Sequence, residues 1–405
     1  MSMNKQYEDL LSDQVKSIPP SAIRRFFDLA NEMKGEVISL SIGEPDFVTP
    51  WRVREAGIYS LEMGYTHYSP NSGFIELREA IADYLHRRFR MKYDPRSQIL
   101  VTVGGSEGID IAIRSLINPG DEVIIVEPCF VAYKAAVKLA LGVPVIVSTN
   151  AEDQFKVRPE AIEKAITAKT KLIMIGYPNN PTGATMSKAE LFEIVKVLDK
   201  YPDILVLTDE LYCELSYSEE PHYSIASFPS MIDRTILING FSKAYAMTGW
   251  RIGYATGPAE IIAAMTKIHQ YCIMSSPTTA QYAGIEAVRN SDKDVAEMRA
   301  EYNRRRRIVV KGCRDAGLSC FEPTGAFYAF PCIASLGIDS DTFCERFLRE
   351  KKVAIVPGKA FGDCGEGFVR ISYAASIEDI KQAMLRLAEF VQLLKEEGKK
   401  RDAGI

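Results

Sequence analysis

NGFSKAYAMTGWRIGY, residues 239–254, follows a short apolar run, Thr235 to Ile238, that reads as a strand ending in a turn. Ser242 and Lys243 are adjacent in it, and Arg251 lies further along. A lysine that forms an imine must first shed a proton, which its ordinary pKa of about 10.4 resists. Burial among apolar groups and a nearby fixed cation both lower that value. Ala, Tyr, Ala and Met follow Lys243, and Arg251 is the cation. Ser242 and Arg251 also suit a phosphate, through a hydroxyl donor and a bidentate fork. A lysine poised for imine chemistry beside a phosphate clamp points to pyridoxal phosphate (PLP). The same residues fit a surface lysine in a loop ahead of an amphipathic helix, so the rest of the chain must arbitrate.

With 405 residues the chain exceeds one ordinary core and suits two domains. Hydrophobic residues at 47% and charged residues at 25% match a soluble globular protein. A net charge of −4 offers no global attraction to nucleic acid or an anionic membrane. The one basic run, Arg304 to Arg307, sits in a helical pattern (Val295 to Cys313) and reads as a solvated helix face. Eight cysteines form no CxxC pair, and four histidines are too dispersed for a metal site. Such cysteine usage suggests a reduced, cytoplasmic setting. MSMNKQYEDLLSDQV lacks the apolar stretch of a signal peptide, and no apolar run is long enough for a membrane span.

The middle of the chain alternates short apolar runs with helical patterns, which predicts a largely parallel α/β sheet. The runs are Ile99–Val103, Glu122–Val126, Val143–Val147, Leu172–Ile175, Ile204–Leu207 and Thr235–Ile238. Helix-length segments such as Ser106–Ile117 and Lys188–Lys200 separate most of them. After about residue 290, a long charged helix, TGAFYAFP, another helix, VAIVP and FVRISYA predict a smaller α+β domain. LSIGEPDFVTP, rich in turn formers, reads as a connection between domains, and EEGKKRDAGI as a frayed polar end.

Ligands of open α/β sheets bind beyond the carboxyl ends of the strands. Gly104-Gly105-Ser106, Glu127-Pro128-Cys129-Phe130, Tyr177 to Gly183, Asp209-Glu210-Leu211-Tyr212 and Ser242-Lys243 all follow predicted strands. Polar and aromatic groups thus converge on one edge. Gly104-Gly105-Ser106 before a helix forms an anion cradle. Glu127 at the next strand end raises a dinucleotide fold as a rival, against which the glycines fall as GGxxG and not GxGxxG. Asp209 can pair with a ring nitrogen and keep it protonated, or can cap a helix. Asn180 and Tyr212 can bond a phenolate oxygen; an Asn-Pro turn and a core tyrosine are their alternatives. Phe130 offers a flat face for a ring or ordinary packing. Arg370, mid-strand in FVRISYA, needs a partner such as a carboxylate if buried, or faces water on an edge strand.

These motifs together resemble the class I/II PLP-dependent aminotransferases of fold type I, in the aspartate-aminotransferase-like branch. The resemblance runs through SLSIGEPDF, YTHYSPNSGFIELREAI, VTVGGSEG, YPNNPTG, DELY, FSKAYAMTGWRIG, GAFYAFP and VRISYA. It implies a mostly parallel central sheet sandwiched by helices, with a smaller α+β domain. The expected division is an N-terminal arm and part of the small domain at 1–48, a large PLP-binding domain at 49–289, and the small domain at 290–405. By the resemblance, Lys243 is the Schiff-base lysine that later carries a proton between substrate Cα and cofactor C4′. Asp209 partners the pyridinium, and Asn180 and Tyr212 meet the ring's O3′. Gly105, Ser106, Glu107, Ser242 and Arg251 form the phosphate cup, Phe130 lies over the ring, and Arg370 clamps the substrate α-carboxylate with Gly43 on its other side. Tyr68 reaches a phosphate in the neighbouring subunit, which implies a homodimer with shared active sites.

The implied activity is ping-pong transfer of an amino group from an L-amino acid (aromatic, aspartate or broad range) to a 2-oxo acid such as 2-oxoglutarate. Its expected setting is amino-acid metabolism, including biosynthesis, with no nucleic acid, membrane or metal involved. β-Elimination from cysteine conjugates on the same scaffold is the alternative; a PLP-binding regulatory protein and a Rossmann-type dehydrogenase are more distant ones. Two positions depart from aspartate enzymes: Phe130 stands where they commonly have tryptophan, and Glu107 replaces a threonine or glutamine. A carboxylate there would repel phosphate, which leaves only the Glu107 backbone N–H to serve. No extra arginine for a distal carboxylate is evident. Phe130 and IRRFFDLA (residues 23–30) are similar to broad-specificity members that accept aromatic amino acids.

Overall fold

The computed structural model describes residues 7–20, 25, 26, 28, 29, 33 and 37–402. Residues 23–30, on which the lean towards aromatic substrates partly rests, fall in part outside that range. A central sheet holds seven strands: β1 (Ile99–Thr102), β2 (Glu122–Glu127), β3 (Val143–Ser148), β4 (Thr170–Ile175), β5 (Leu205–Asp209), β6 (Thr235–Gly240) and β7 (Gly253–Thr256). Their spatial order is β1-β7-β6-β5-β4-β2-β3. Each apolar run forms a strand, and β2 to β6 pair in parallel. β7 is the departure. Its GYAT is short and opens on glycine, so it carries little strand signal, yet it runs antiparallel between β1 and β6.

Five helices matter for the site: α1 (Trp51–Glu62), α2 (Gly105–Leu116), α3 (Ala259–Cys272), α4 (Asp292–Asp315) and α5 (Ile377–Asp402). Successive strand residues point to opposite faces, so a buried apolar run needs a helical layer on each side. Ile125, Met174 and Leu207 pack with Ile109 and Ile113 of α2 and Ile262 and Met265 of α3. Their neighbours Ile124, Ile173 and Val206 pack on the other side with Ile194 and Leu198. Parallel strands between these layers leave their carboxyl ends as the open edge.

A second core gathers α4, α5 and the helix Ser340–Lys351 around Tyr302, Phe327, Phe343 and Phe390. The early strand Ile38–Ser39 pairs in parallel with Val353–Ala354, and Leu40 bridges Ala354 and Ser372 through its backbone. The chain therefore starts its described core in this second layer before crossing at 41–50. Two expectations change here. Residues 396–402 continue the last helix and are not a frayed end, in keeping with their Glu, Lys and Arg residues, which offset Gly398, and with Arg346 holding Glu397 at 2.9 and 3.0 Å. The arginine run is not one solvated face either. Arg305 is buried, bonds both oxygens of Asp46 at 2.7 and 2.8 Å and lies over the Phe47 ring. Arg306 bonds Glu322, leaving Arg304 and Arg307 exposed.

Candidate active site

A cavity of about 240 Å³ opens at the carboxyl edge of the sheet. It brings together Gly43, Gly105, Ser106, Phe130, Asn180, Asp209, Tyr212, Ser242, Lys243, Arg251 and Arg370. β1 delivers the glycines, β2 leads to Phe130, β4 to Asn180, β5 ends at Asp209 and β6 leads to Lys243. Arg370 comes from the strand Val369–Ser372 of the second layer. Glu107 and Tyr68 do not line the cavity.

Lys243 Nζ donates to the carbonyl of Gly43 at 2.6 Å. Burial pushes its pKa down from 10.5 to about 8; Glu44 opposes that shift, and Arg370 and Arg251 add to it. The amine thus sheds its proton far more readily than an exposed lysine does. A Cβ on Gly43 would overlap the Tyr328 hydroxyl, so the crossing segment can pass this close only as glycine.

Asp209 accepts from the Tyr133 hydroxyl at 2.6 Å and from the Leu211 N–H at 3.2 Å. Burial raises its pKa, and those two hydrogen bonds restrain the rise. No cation among the described residues forms an ion pair with it, so its carboxyl group lines the cavity with no cationic partner. Tyr212 shares a 2.7 Å hydrogen bond with Tyr328, and both hydroxyls are shifted upward by burial. Phe130 meets Tyr133 edge-on, 5.9 Å between ring centroids.

At the other end, Gly104 takes φ 79° and starts α2 with no side-chain cap. A Cβ there would stand 2.6 Å from Arg251 Nη2. Arg251, itself at φ 53°, donates to the carbonyls of Thr248 (3.0 Å) and Val103 (3.4 Å). The first N–H groups of α2 and this guanidinium face one concavity, the donor set that suits a phosphate. Arg370, 1% exposed, lies against the faces of Tyr328 and Phe361, 4.5 and 4.9 Å from their centroids. It donates to Asn180 Oδ1 at 2.9 Å and Ser41 O at 2.6 Å, while its Nε has no partner. Its desolvation, which lowers its pKa, is thus incompletely offset, and a bound carboxylate would complete it.

Sequence reasoning missed Tyr133, Tyr328 and Ser41. Tyr328 lay in the quoted GAFYAFP without a role, and Tyr133 stands one helical turn past Phe130, a spacing that could have linked the two. The Glu107 side chain turns out of the cavity onto His269 of α3. Tyr68 is 82% exposed.

The pattern described as "Aminotransferase class I and II" matches residues 35–387. The chain belongs to the class I and II aminotransferases. It is 53% identical to the putative aminotransferase YugH of Bacillus subtilis over 94% of this chain and 98% of that one. It is 45% identical to an aspartate aminotransferase of Pyrococcus abyssi, over the same shares. Among solved structures, an aromatic aminotransferase from Pyrococcus horikoshii superposes with TM-score 0.87 and 43% identity, covering 92% of this chain and 99% of that one. As an aminotransferase of fold type I, the protein uses pyridoxal phosphate. The cavity itself fits that group: a carboxyl group with no cationic partner at one end, an anion cradle at the other, and a lysine of lowered pKa between them. No helix among the described residues is long and apolar enough to cross a membrane, and none of their acidic, histidine and cysteine side chains cluster as metal ligands.

Proposed function

We propose that this cavity is the transfer site, and that Lys243 carries the reaction in it. The observation behind the reading is the amine's place, with its pKa near 8, between Asp209, Arg251 and Arg370. Bound there, pyridoxal phosphate supplies a carbonyl for an amino group and a ring that accepts electrons. Asp209, held by Tyr133, would keep the ring nitrogen protonated; Asn180 and Tyr212 would donate to O3′, and Phe130 would cover the ring. Gly105, Ser106 and Glu107 offer backbone N–H groups to the phosphate, joined by Ser242 and Arg251. Arg370 binds the substrate α-carboxylate with Gly43 opposite, which orients Cα–H towards Lys243. Lys243 would be the group that carries that proton between Cα and C4′.

The reading covers an L-amino acid donor, aromatic, aspartate or both, and a 2-oxo acid acceptor such as 2-oxoglutarate, in alternate half-reactions. Relatives named for aspartate and aromatic amino acids support that range. It assigns 49–289 to the large domain, 290–405 with part of 1–48 to the small one, and a biosynthetic or related role in amino-acid metabolism. Eight free cysteines support a reduced, cytoplasmic setting. The reading includes a homodimer, which the exposure of the large apolar side chains Tyr59, Leu61, Met63, Tyr271 and Met274 supports. Asn71 Nδ2 donates to Met274 O at 2.7 Å, tying the stretch that follows Tyr68 to the end of the Tyr271–Met274 segment. In such a dimer Tyr68, exposed and outside its own chain's cavity, would reach the phosphate of the other subunit.

A panel of amino donors with 2-oxoglutarate tests the reading. Glutamate should form with aspartate or an aromatic donor, and borohydride should fix the cofactor to Lys243 before turnover. Attachment at another lysine, or ammonia and 2-oxo acid released without an acceptor, would overturn it.

A further inference from the structure

Glu107 is a puzzle in an anion site, because a carboxylate beside a phosphate repels it. Its side chain explains itself by pointing elsewhere. Glu107 is the third residue of α2, whose cap residue, Gly104, has no side chain to bond the free N–H groups. One carboxylate oxygen accepts instead from the backbone N–H of Val103, just before the cap. The other is held at 2.6 Å by His269 Nδ1, from the last turn of α3. His269 is fully buried, and its Nε2 has no partner among the described residues, so Glu107 is the one group that accounts for its polar ring.

Val103 is the hinge of this arrangement. Its N–H is held by Glu107 and its carbonyl accepts from Arg251. Besides Val103 the turn between β1 and α2 is Gly104, at positive φ, and α2 itself opens on Gly105, so the backbone there resists distortion poorly. We propose that the Glu107–His269 pair is a positioning device for the phosphate cup: through Val103 it fixes both the first turn of α2 and the guanidinium of Arg251. The pair also ties the cup to α3, whose end runs into the exposed Tyr271 to Met274 segment. This inference rests on the assignment of the β1–α2 turn to the phosphate.

The test compares PLP with pyridoxal, which lacks the phosphate, for binding to the full-length protein. Glu107→Ala and His269→Ala should each weaken PLP about tenfold, with pyridoxal affinity nearly unchanged. The double variant should be little worse than either single one, because the residues act as a unit. Glu107→Gln keeps an acceptor for the Val103 N–H and should preserve the preference for PLP, so it carries the test if the alanine variants do not fold. Equal losses for PLP and pyridoxal, an unchanged PLP affinity in a folded Glu107→Ala protein, or loss of the preference in Glu107→Gln would overturn the inference. Arg251→Ala separates the two levels. If it lowers the PLP preference while Glu107→Ala does not, the positioning role alone fails. If Arg251→Ala leaves the preference intact, the cup lies elsewhere and the inference falls with it.

Discussion

Lys243 and Asp209 are tuned in opposite directions by the same burial, one towards loss of a proton and the other towards its retention. For the lysine the sign is direct: its folded pKa is depressed, so the neutral amine prevails above about 8, well below the ordinary 10.5. Covalent capture of PLP by cofactor-free protein should therefore rise with pH and level off above about 8. A stopped-flow absorbance profile would show it, and a midpoint near the ordinary lysine value would remove the argument for a tuned amine. Tyr133 sets the other partner. Removing its hydroxyl deletes one of the two hydrogen bonds that restrain the rise of the Asp209 pKa, so the carboxyl group is less often ionised for the role proposed for it at the ring nitrogen. A bond to a charged group is worth about 1.5–3 kcal/mol, so Tyr133→Phe should lower kcat by roughly tenfold to a hundredfold with KM little changed. An effect confined to KM would place Tyr133 in substrate binding.

At the scale of elements, the legible parts were those with a strong local signature. Apolar runs bounded by turn formers marked β1 to β6, and polar groups after those runs marked the open edge, because parallel strands must all deliver their ends to one side. β7 escaped notice since GYAT draws its stability from two flanking strands and not from its own composition. Tyr133 and Tyr328 were hidden for a related reason: a buried tyrosine looks alike in sequence whether its hydroxyl serves a site or a core. Arg305 escaped because charge runs are usually solvated, and nothing local announces a partner as distant as Asp46. That contact pins the crossing segment to α4. Arg305→Ala should cost about 2 kcal/mol, read as a lower denaturation midpoint, with Arg304→Ala nearly neutral as a control. Equal, small effects would mean that the pair is merely decorative.

For the whole molecule, the question is where Tyr68 acts. It stands 82% exposed and away from the cavity of its own chain. A mixed dimer decides: one chain carries Tyr68→Phe with intact Lys243, the other keeps Tyr68 and carries Lys243→Ala. The intact lysine should then recover parental PLP affinity at half occupancy. Affinity no better than in the Tyr68→Phe homodimer would confine the residue to its own chain.

The hydrogen bond from Lys243 to Gly43 has a wider meaning. Gly43 belongs to the segment that Arg305 anchors to the second layer, so the reactive amine doubles as a clasp between layers. A nitrogen engaged in chemistry cannot also hold that carbonyl. Thermodynamic reciprocity then requires that whatever draws the amine away loosens the crossing, and that a looser crossing frees the amine by the same free energy. Amide hydrogen exchange across residues 41–48 should accordingly quicken in Lys243→Ala relative to the cofactor-free parent. Lys243 would then be a structural member of the cofactor-free fold as well as the proposed reacting group, released from the first task by the second.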